Sequence, residues 1–490
     1  MAASRRGSLL RRPLERAALA ALLGAGGLLG GCTVGPKYVR PAADAPPAYK
    51  ENADWKIAQP GDAIPRGNWW EIYNDSQLNA LEEKITVSNQ NLKIAEDQFR
   101  QARAALRISR SAYYPQVTGG VSVTHERPSQ NRPFANSSAS TKTPNFTDYT
   151  IPVDASYEAD VWGRVRRTVE SSRSEAQASA ADLETVNLSL HAELAVDYFE
   201  LRGADAQEQL LDSTVAAYTK ALELAQERYQ GGLASAVDVA QAQTQLETTR
   251  ALAIDLQVQR AQLEHAIAVL VGQAPATFSL AASPLDKVPP AIPAGVPSEL
   301  LERRPDIAAA ERRVEAANAQ IGVARAAYFP LITLAGTGEF ESTRIGTLVS
   351  GPSGLWSLGA SAAEILFDAG KRHAITEQAR AAYDQSVATY RETVLGAFQD
   401  VEDNLAALRV LEEEAKTEGV AVNSAEHSLA LSNNRYRGGV VSYLEVITAQ
   451  SAALTDERAA VDIATRRMVA SALLIKALGG GWNASALPAL

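Results

Sequence analysis

The chain has 490 residues, a formal net charge of −10 and one cysteine. An acidic chain with no basic cluster is poorly suited to neutralising phosphates, which argues against a nucleic-acid binder. A single thiol allows neither a disulfide framework nor a thiolate metal cluster.

The N-terminus reads as an export signal. Arg5, Arg6, Arg11, Arg12 and Arg16 precede an apolar stretch from Ala17 to Leu29, too short for a stable transmembrane helix. The stretch ends at Leu29-Gly30-Gly31-Cys32, which resembles the bacterial lipobox, in which the cysteine becomes the lipidated first residue. Thr33 in place of Asp then implies sorting to the outer membrane. Loss of residues 1–31, five Arg against one Glu, takes away a net +4 and leaves −14. No later segment holds eighteen consecutive apolar residues, so no transmembrane helix is expected in the mature chain.

Prolines cluster at 36–65, 115–152, 275–305 and 330–352, leaving Pro-free runs at 153–274 and 353–487. These runs are rich in Ala, Leu, Glu, Gln and Arg, the composition of long helices. An internal repeat organises them. Ala112-Tyr113-Tyr114-Pro115 returns as Ala327-Tyr328-Phe329-Pro330, 215 residues on; Gly163 returns as Gly370, and Arg228-Tyr229-Gln230-Gly231-Gly232 as Arg435-Tyr436-Arg437-Gly438-Gly439, both 207 residues on.

Each copy reads as helix, strand, loop, strand, long helix, tight turn, helix. The first helix runs from about Ser76 to Arg110 and meets Pro115, where the residue before proline must become extended. A period of two follows. Val117, Val121 and Val123 alternate with Thr118, Ser122 and Thr124, and Tyr149, Ile151, Val153, Ala155 and Tyr157 with Thr150, Asp154, Ser156 and Glu158. In the second copy Ile332, Leu334 and Phe340 alternate with Thr333, Thr337 and Glu339, and Trp356, Leu358, Ala360 and Ala362 with Ser357, Gly359 and Ser361. Such strands suit a bilayer-spanning barrel around water and equally a half-buried soluble sheet.

The run from Gly163 to Tyr229 has 67 residues, a rod of about 100 Å. Val387, Tyr390, Val394, Phe398, Val401, Leu405 and Leu408 form an apolar stripe on the second rod. Gly231-Gly232 and Gly438-Gly439 are expected to end the rods in the left-handed conformation, and Ser235/Asp238 and Ser442/Glu445 to restart a helix with capping boxes. Four short strands cannot close a barrel, and open edges in lipid leave backbone groups unsatisfied, so the sheet must be completed by other copies. Two copies give eight strands and three give twelve, and the residues alone leave that choice open.

At this point the sequence resembles the TolC-like outer membrane factors, and more closely their lipidated OprM-like or NodT-type efflux branch. The resemblance rests on Gly35-Pro36-Lys37-Tyr38-Val39-Arg40-Pro41 after the cysteine, and on Trp69-Trp70 followed by Asp75, Leu78 and Leu81. It rests also on Leu300-Leu301-Glu302-Arg303-Arg304-Pro305-Asp306-Ile307 and on Leu478-Gly479-Gly480-Gly481-Trp482. It implies an α+β membrane protein, a homotrimer with a twelve-stranded outer-membrane β-barrel, four strands per chain, continued by a long α-helical periplasmic barrel. The organisation it implies is a signal peptide at 1–31, a lipidated extended segment at 32–75, repeats at 76–274 and 298–478, a Pro-rich equatorial linker at 275–297 and a tail at 479–490. The implied function is the exit channel of a tripartite efflux system, working with a periplasmic adaptor and an inner-membrane pump of the resistance-nodulation-division type, with a type I secretion channel as the alternative.

The tips expected to dock the adaptor are Tyr229, Gly231, Gly232, Tyr436, Gly438 and Gly439. The resemblance puts the gate at Tyr436, Leu444 and Thr448, with first-copy equivalents of the last two at Val237 and Gln241. Thr448 stands where the family carries a carboxylate; Glu445 and Asp238 are other charges nearby, already expected as caps. Arg303 and Arg304 before Pro305 read as a helix start rather than a ligand site. No cofactor, metal site or enzyme activity is expected. The histidines at 125, 191, 265, 373 and 427 lack zinc-type spacing, and Gly370-Lys371 fails as a P-loop at Ile365 and Arg372. A periplasmic adaptor or coiled-coil lipoprotein would explain the hairpins but not two duplicated strand pairs; a lipid-anchored enzyme lacks its constellation.

Overall fold

The computed structural model describes residues 33–52, 67–127, 145–292, 295 and 297–490; the expected signal and Cys32 lie outside the described residues. The expected first helix is two. Helix α1 (Ser76–Ser88) is capped by Asp75, and α2 (Gln90–Ser111) restarts at Asn89. The buried Asn89 side chain accepts from Leu92 N at 3.0 Å and donates to Leu270 O at 2.7 Å, so one amide both breaks the helix and ties it to a distant one. The second copy breaks 215 residues on, at Arg304, where Pro305 forbids helix to its predecessor; α5 (Pro297–Arg303) precedes α6 (Pro305–Ala326). Arg304 is held by Asp306, Asp400 and the Ala477 carbonyl.

The sheet contains β1 (Gln116–Gly119), β2 (Ser122–Glu126), β3 (Phe146–Glu158), β4 (Leu331–Ser342) and β5 (Gly354–Ala363), all antiparallel, with β1 and β2 both on β3 and then β4 and β5. Five strands stand for four because of Pro152. Gly120 N donates to Pro152 O at 3.0 Å, but Pro152 has no N–H to return. The ladder breaks there while the register runs through, Gly119 opposite Val153 and Ser122 opposite Thr150.

The pairing gives the sheet two distinct faces. Val117, Ala155, Tyr157, Leu334, Ala360, Trp356 and Leu358 share one, and Thr118, Asp154, Thr337 and Ser357 run straight across the other. On the apolar face Trp356 and Leu358 are 77% and 80% exposed.

Beyond the sheet, α3 (Arg164–Gln230) and α7 (Lys371–Arg437) have 67 residues each, and α4 (Ala236–Leu270) and α8 (Tyr443–Ala477) have 35 each. The second member of each pair starts 207 residues after the first. Gly163 and Gly370 open the long helices with φ of 83° and 88°. Asp160 and Asp368 accept from the first backbone N–H groups. Near the sheet α6 lies between α3 and α7, whereas α2 packs chiefly on α3.

A belt core lies midway. Trp69, Tyr73, Leu78, Phe199 and Ile307 are fully or nearly buried in it, with Tyr73 edge-on to Phe199 at 4.8 Å. The segment after α4 is fastened to this belt by Asp205, whose carboxylate accepts from Arg202, Arg260 and Ser283 N. Here too His191 stacks on Trp70 at 4.3 Å and meets Glu82 through Nδ1 at 2.6 Å. Burial pulls His191 down to about 4 and pushes Glu82 well above the usual carboxylate range, because it disfavours the charged form of each.

Candidate functional site

The matched turns at the far ends of α3 and α7 carry most of the singled-out residues. In the first, Leu233 N donates to Arg228 O at 2.8 Å and Gly232 N to Tyr229 O at 3.0 Å; in the second, Val440 N donates to Arg435 O and Gly439 N to Tyr436 O, both at 2.9 Å. This bond pattern satisfies carbonyls that the helix end would leave orphaned. Only the second glycine of each pair is left-handed: Gly232 and Gly439 have φ of 72°, while Gly231 and Gly438 stay at −77° and −72°, a correction to the sequence expectation.

The capping boxes differ as well. Ser235 and Asp238 form the reciprocal box expected of them. Ser442 makes no side-chain cap, and the Glu445 carboxylate that would return the second bond of a box is bonded to Arg435 Nη1 instead. In the first copy the equivalent arginine, Arg228, reaches across to Tyr436 and to the Arg437 carbonyl, which leaves Asp238 free to cap.

The two tip tyrosines have parted roles. Tyr229 is 51% exposed, whereas Tyr436 is buried at 4% among Tyr218, Leu222, Leu246 and Val446, edge-on to Tyr443 at 5.1 Å. Tyr436, expected at the gate, therefore packs inside the tip of the chain and joins the two hairpins. Leu444 is 56% exposed and Val237 62%, apolar side chains facing out of the chain at matching places. Thr448 lies one turn beyond Leu444 on the same exposed face, and its hydroxyl donates to Leu444 O at 2.9 Å, within its own helix. Arg228 and Tyr443 were not singled out from sequence; the Arg-Tyr repeat marks the first only as part of a turn.

Acidic residues run along one face of α3. Glu175, Asp182, Glu193, Asp197 and Glu200 recur at helical spacing, and burial, then Glu193 and Glu200, push Asp197 up to about 7. Among the described residues no group of His, Cys, Asp and Glu is arranged to hold a metal, and no helix is long and apolar enough to cross a membrane.

Comparison with known proteins places this architecture. The family model for outer membrane efflux proteins matches residues 81–273 and 296–480. The chain is 32% identical over 458 residues to the outer membrane protein OprJ of Pseudomonas aeruginosa, covering 93% of this chain and 94% of that one. It is 29% identical to the cation efflux system protein CusC of Escherichia coli, covering 93% and 97%. The solved outer-membrane channel OprN superposes with a TM-score of 0.84 at 31% identity, covering 92% of this chain and all of that one. The repeat, the two-faced sheet and the paired rods are thus those of relatives matched over almost their whole length, and the chain belongs to the outer membrane efflux protein family.

Proposed function

We propose that this chain forms, as a homotrimer, the outer-membrane exit channel of a tripartite efflux system. One observation carries the reading: a sheet with one apolar and one polar face and an unpaired edge at each end, continued by rods about 100 Å long. In lipid neither edge is tolerable, so β5 of one copy pairs with β1 and β2 of the next. Eight strands enclose little more than their own side chains, whereas twelve leave room for a duct, which favours three copies over two.

The repeat supplies the register of that closure. Shifting β1–β3 pairing by the two repeat intervals, 215 and 207, reproduces the β4–β5 pairing: Gln116 opposite Ser156 becomes Leu331 opposite Ala363. The same shift carries the β3–β4 pair Asp154–Thr337 onto Ser361 and Ser122, on adjoining copies and both on the polar face. The chain after Cys32 supports a lipid anchor at that cysteine, since Val34 N donates to Trp162 O at 3.1 Å, at the foot of the sheet. The exposed tips at Tyr229, Gly231, Gly232, Gly438 and Gly439 dock a periplasmic adaptor joined to an inner-membrane pump, of the resistance-nodulation-division type in the efflux branch. Leu444 and Thr448 line the narrow end, and buried Tyr436 braces it.

The test is transport. Cells lacking the gene should accumulate ethidium and recover export with the wild-type chain, and the purified protein should conduct in planar bilayers. Full export without the gene, together with a non-conducting purified oligomer, overturns the reading.

A further inference from the structure

Next to the sheet the helices form a layer, α2 on α3, α3 on α6 and α6 on α7, with an open edge at each end. The edge on α7 is a face that its repeat mate keeps covered. Arg167, Ser171, Ser174, Ala178 and Ala181 share the side of α3 toward α6 and are buried or half-buried there, whereas Ala374, Gln378, Ala381, Gln385 and Ala388, 207 residues on, are all exposed. The edge on α2 is bare as well. Ala316, Ala319 and Gly322 of α6 are buried; of their mates 215 residues earlier, Gln101 and Arg107 are exposed and Ala104 is half-buried. Ile108, beside Arg107, is 73% exposed.

The covered joint between α3 and α6 shows what each bare face meets. A Cβ at Gly322 would lie 2.9 Å from Arg167 Cγ, so the arginine stem crosses the glycine, and Arg167 Nη1 donates to Glu170 at 2.8 Å. Shifted by the two repeat intervals, Gly322, Arg167 and Glu170 become Arg107, Ala374 and Glu377. The carboxylate stays, while the arginine moves from the long helix to the short one and faces the room an alanine leaves. The next contact exchanges bulk in the reverse sense. Gln320 Nε2 donates to Ser171 Oγ at 2.8 Å, and the mates of these two are Ala105 and Gln378. Further along, the ion pair of Arg313 with Asp182 becomes Gln98 and Thr389, both uncharged. Paired changes of size and charge are what side chains sharing one close-packed space require. Yet α2 and α7 lie at opposite ends of the layer, and within the chain Glu377 is 3.9 Å from His373, too far for a hydrogen bond.

We propose that the bare face of α2 in one copy seats on the bare face of α7 in the next, where Arg107 lies across Ala374 of the next copy and bonds to its Glu377. The proposal rests on the reading that the copies close into a ring. The two helices run antiparallel, since 98, 105 and 107 ascend as 389, 378 and 374 descend. The guanidinium and carboxylate make a charge-assisted pair at each joint between copies, equivalent to the Arg167–Glu170 pair inside the chain.

The experiment uses the full-length protein in outer-membrane fractions, in a Cys32→Ser background. Arg107→Cys with Ala374→Cys should give covalent dimers and trimers on mild oxidation. Arg107→Cys with Ala388→Cys, about 20 Å further along the same face, should give monomers. Ser122→Cys with Ser361→Cys is oxidised in parallel. Links through the sheet pair without links through Arg107→Cys and Ala374→Cys overturn this joint and leave the ring standing; links through neither pair in folded, inserted protein overturn the ring and the joint with it. Arg107→Glu and Glu377→Arg should each lower the fraction of trimer surviving mild detergent roughly threefold, and the combined variant should regain it. A combined variant no better than either single one overturns the ion pair.

Discussion

Arg228 on the first long helix lies over the ring of Tyr436 on the second, its guanidinium carbon 5.0 Å from the ring centroid, and its Nη1 donates to the Arg437 carbonyl at 3.1 Å. The repeat mate of Arg228 does the opposite and turns inward on its own hairpin to Glu445. One arginine thus joins the two tips and the other stiffens one of them. Arg228→Ala removes a cation–π contact of about 0.5–1 kcal/mol and a hydrogen bond of about 1 kcal/mol. Amide exchange across 228–238 and 435–446 should quicken while the belt stays protected; equal exchange in variant and wild type would show that the tips are held by the apolar cluster alone.

Gly232 and Gly439 sit at φ of 72°, and Gly232 has open space where a Cβ would go. Valine at either position is therefore penalised by its backbone and not by a clash. The double variant should still assemble a barrel but lose cross-linking to the adaptor. Unchanged cross-linking and unchanged export would mean the turns do not dock anything.

Leu444 is exposed in the single chain, as an apolar residue meeting its copies around a closed end would be. Leu444→Ala should raise single-channel conductance and sensitise cells to large antibiotics. Thr448→Asp, which adds a carboxylate one turn beyond Leu444, should strengthen cation preference and divalent block. Correctly assembled Leu444→Ala trimers of wild-type conductance would place the constriction elsewhere.

Asp197, held up to about 7 by burial and by Glu193 and Glu200, gains its charge across neutral pH. Because its folded-state value is raised, its contribution to stability is present in acid and lost as pH rises through 7. Cation over anion permeability should climb between about pH 6 and 8, and Asp197→Asn should flatten the climb while improving relative thermal stability at alkaline pH. A permeability ratio with the same pH profile in Asp197→Asn would remove this residue from the conducting path.

Much of this fold is legible in the sequence because its punctuation is duplicated. The 67-residue rods, the turn at Tyr229 and Tyr436, and the strand alternation follow from proline spacing, glycine position and period. What is not legible is local competition for a side chain. Asn89 reads as one more helical residue until its amide is seen spanning two helices. Glu445 reads as a cap until Arg435 takes it, and Pro152 shows its effect only opposite Gly120. The tyrosines of the two tips look equivalent in sequence, and their burial differs because only one hairpin supplies a Tyr443 to pack on.

A sheet completed by neighbouring copies, in the register the repeat dictates, is the premise of the duct. In a Cys32→Ser background, Ser122→Cys with Ser361→Cys should form disulfides between chains, because opposed residues on paired strands bring Cβ atoms to about 4.5–5.5 Å. Mild oxidation of outer-membrane fractions should yield covalent dimers and trimers from the double variant and none from either single variant. Monomers alone from protein shown to be folded and membrane-inserted would contradict shared closure of the sheet, and with it the duct.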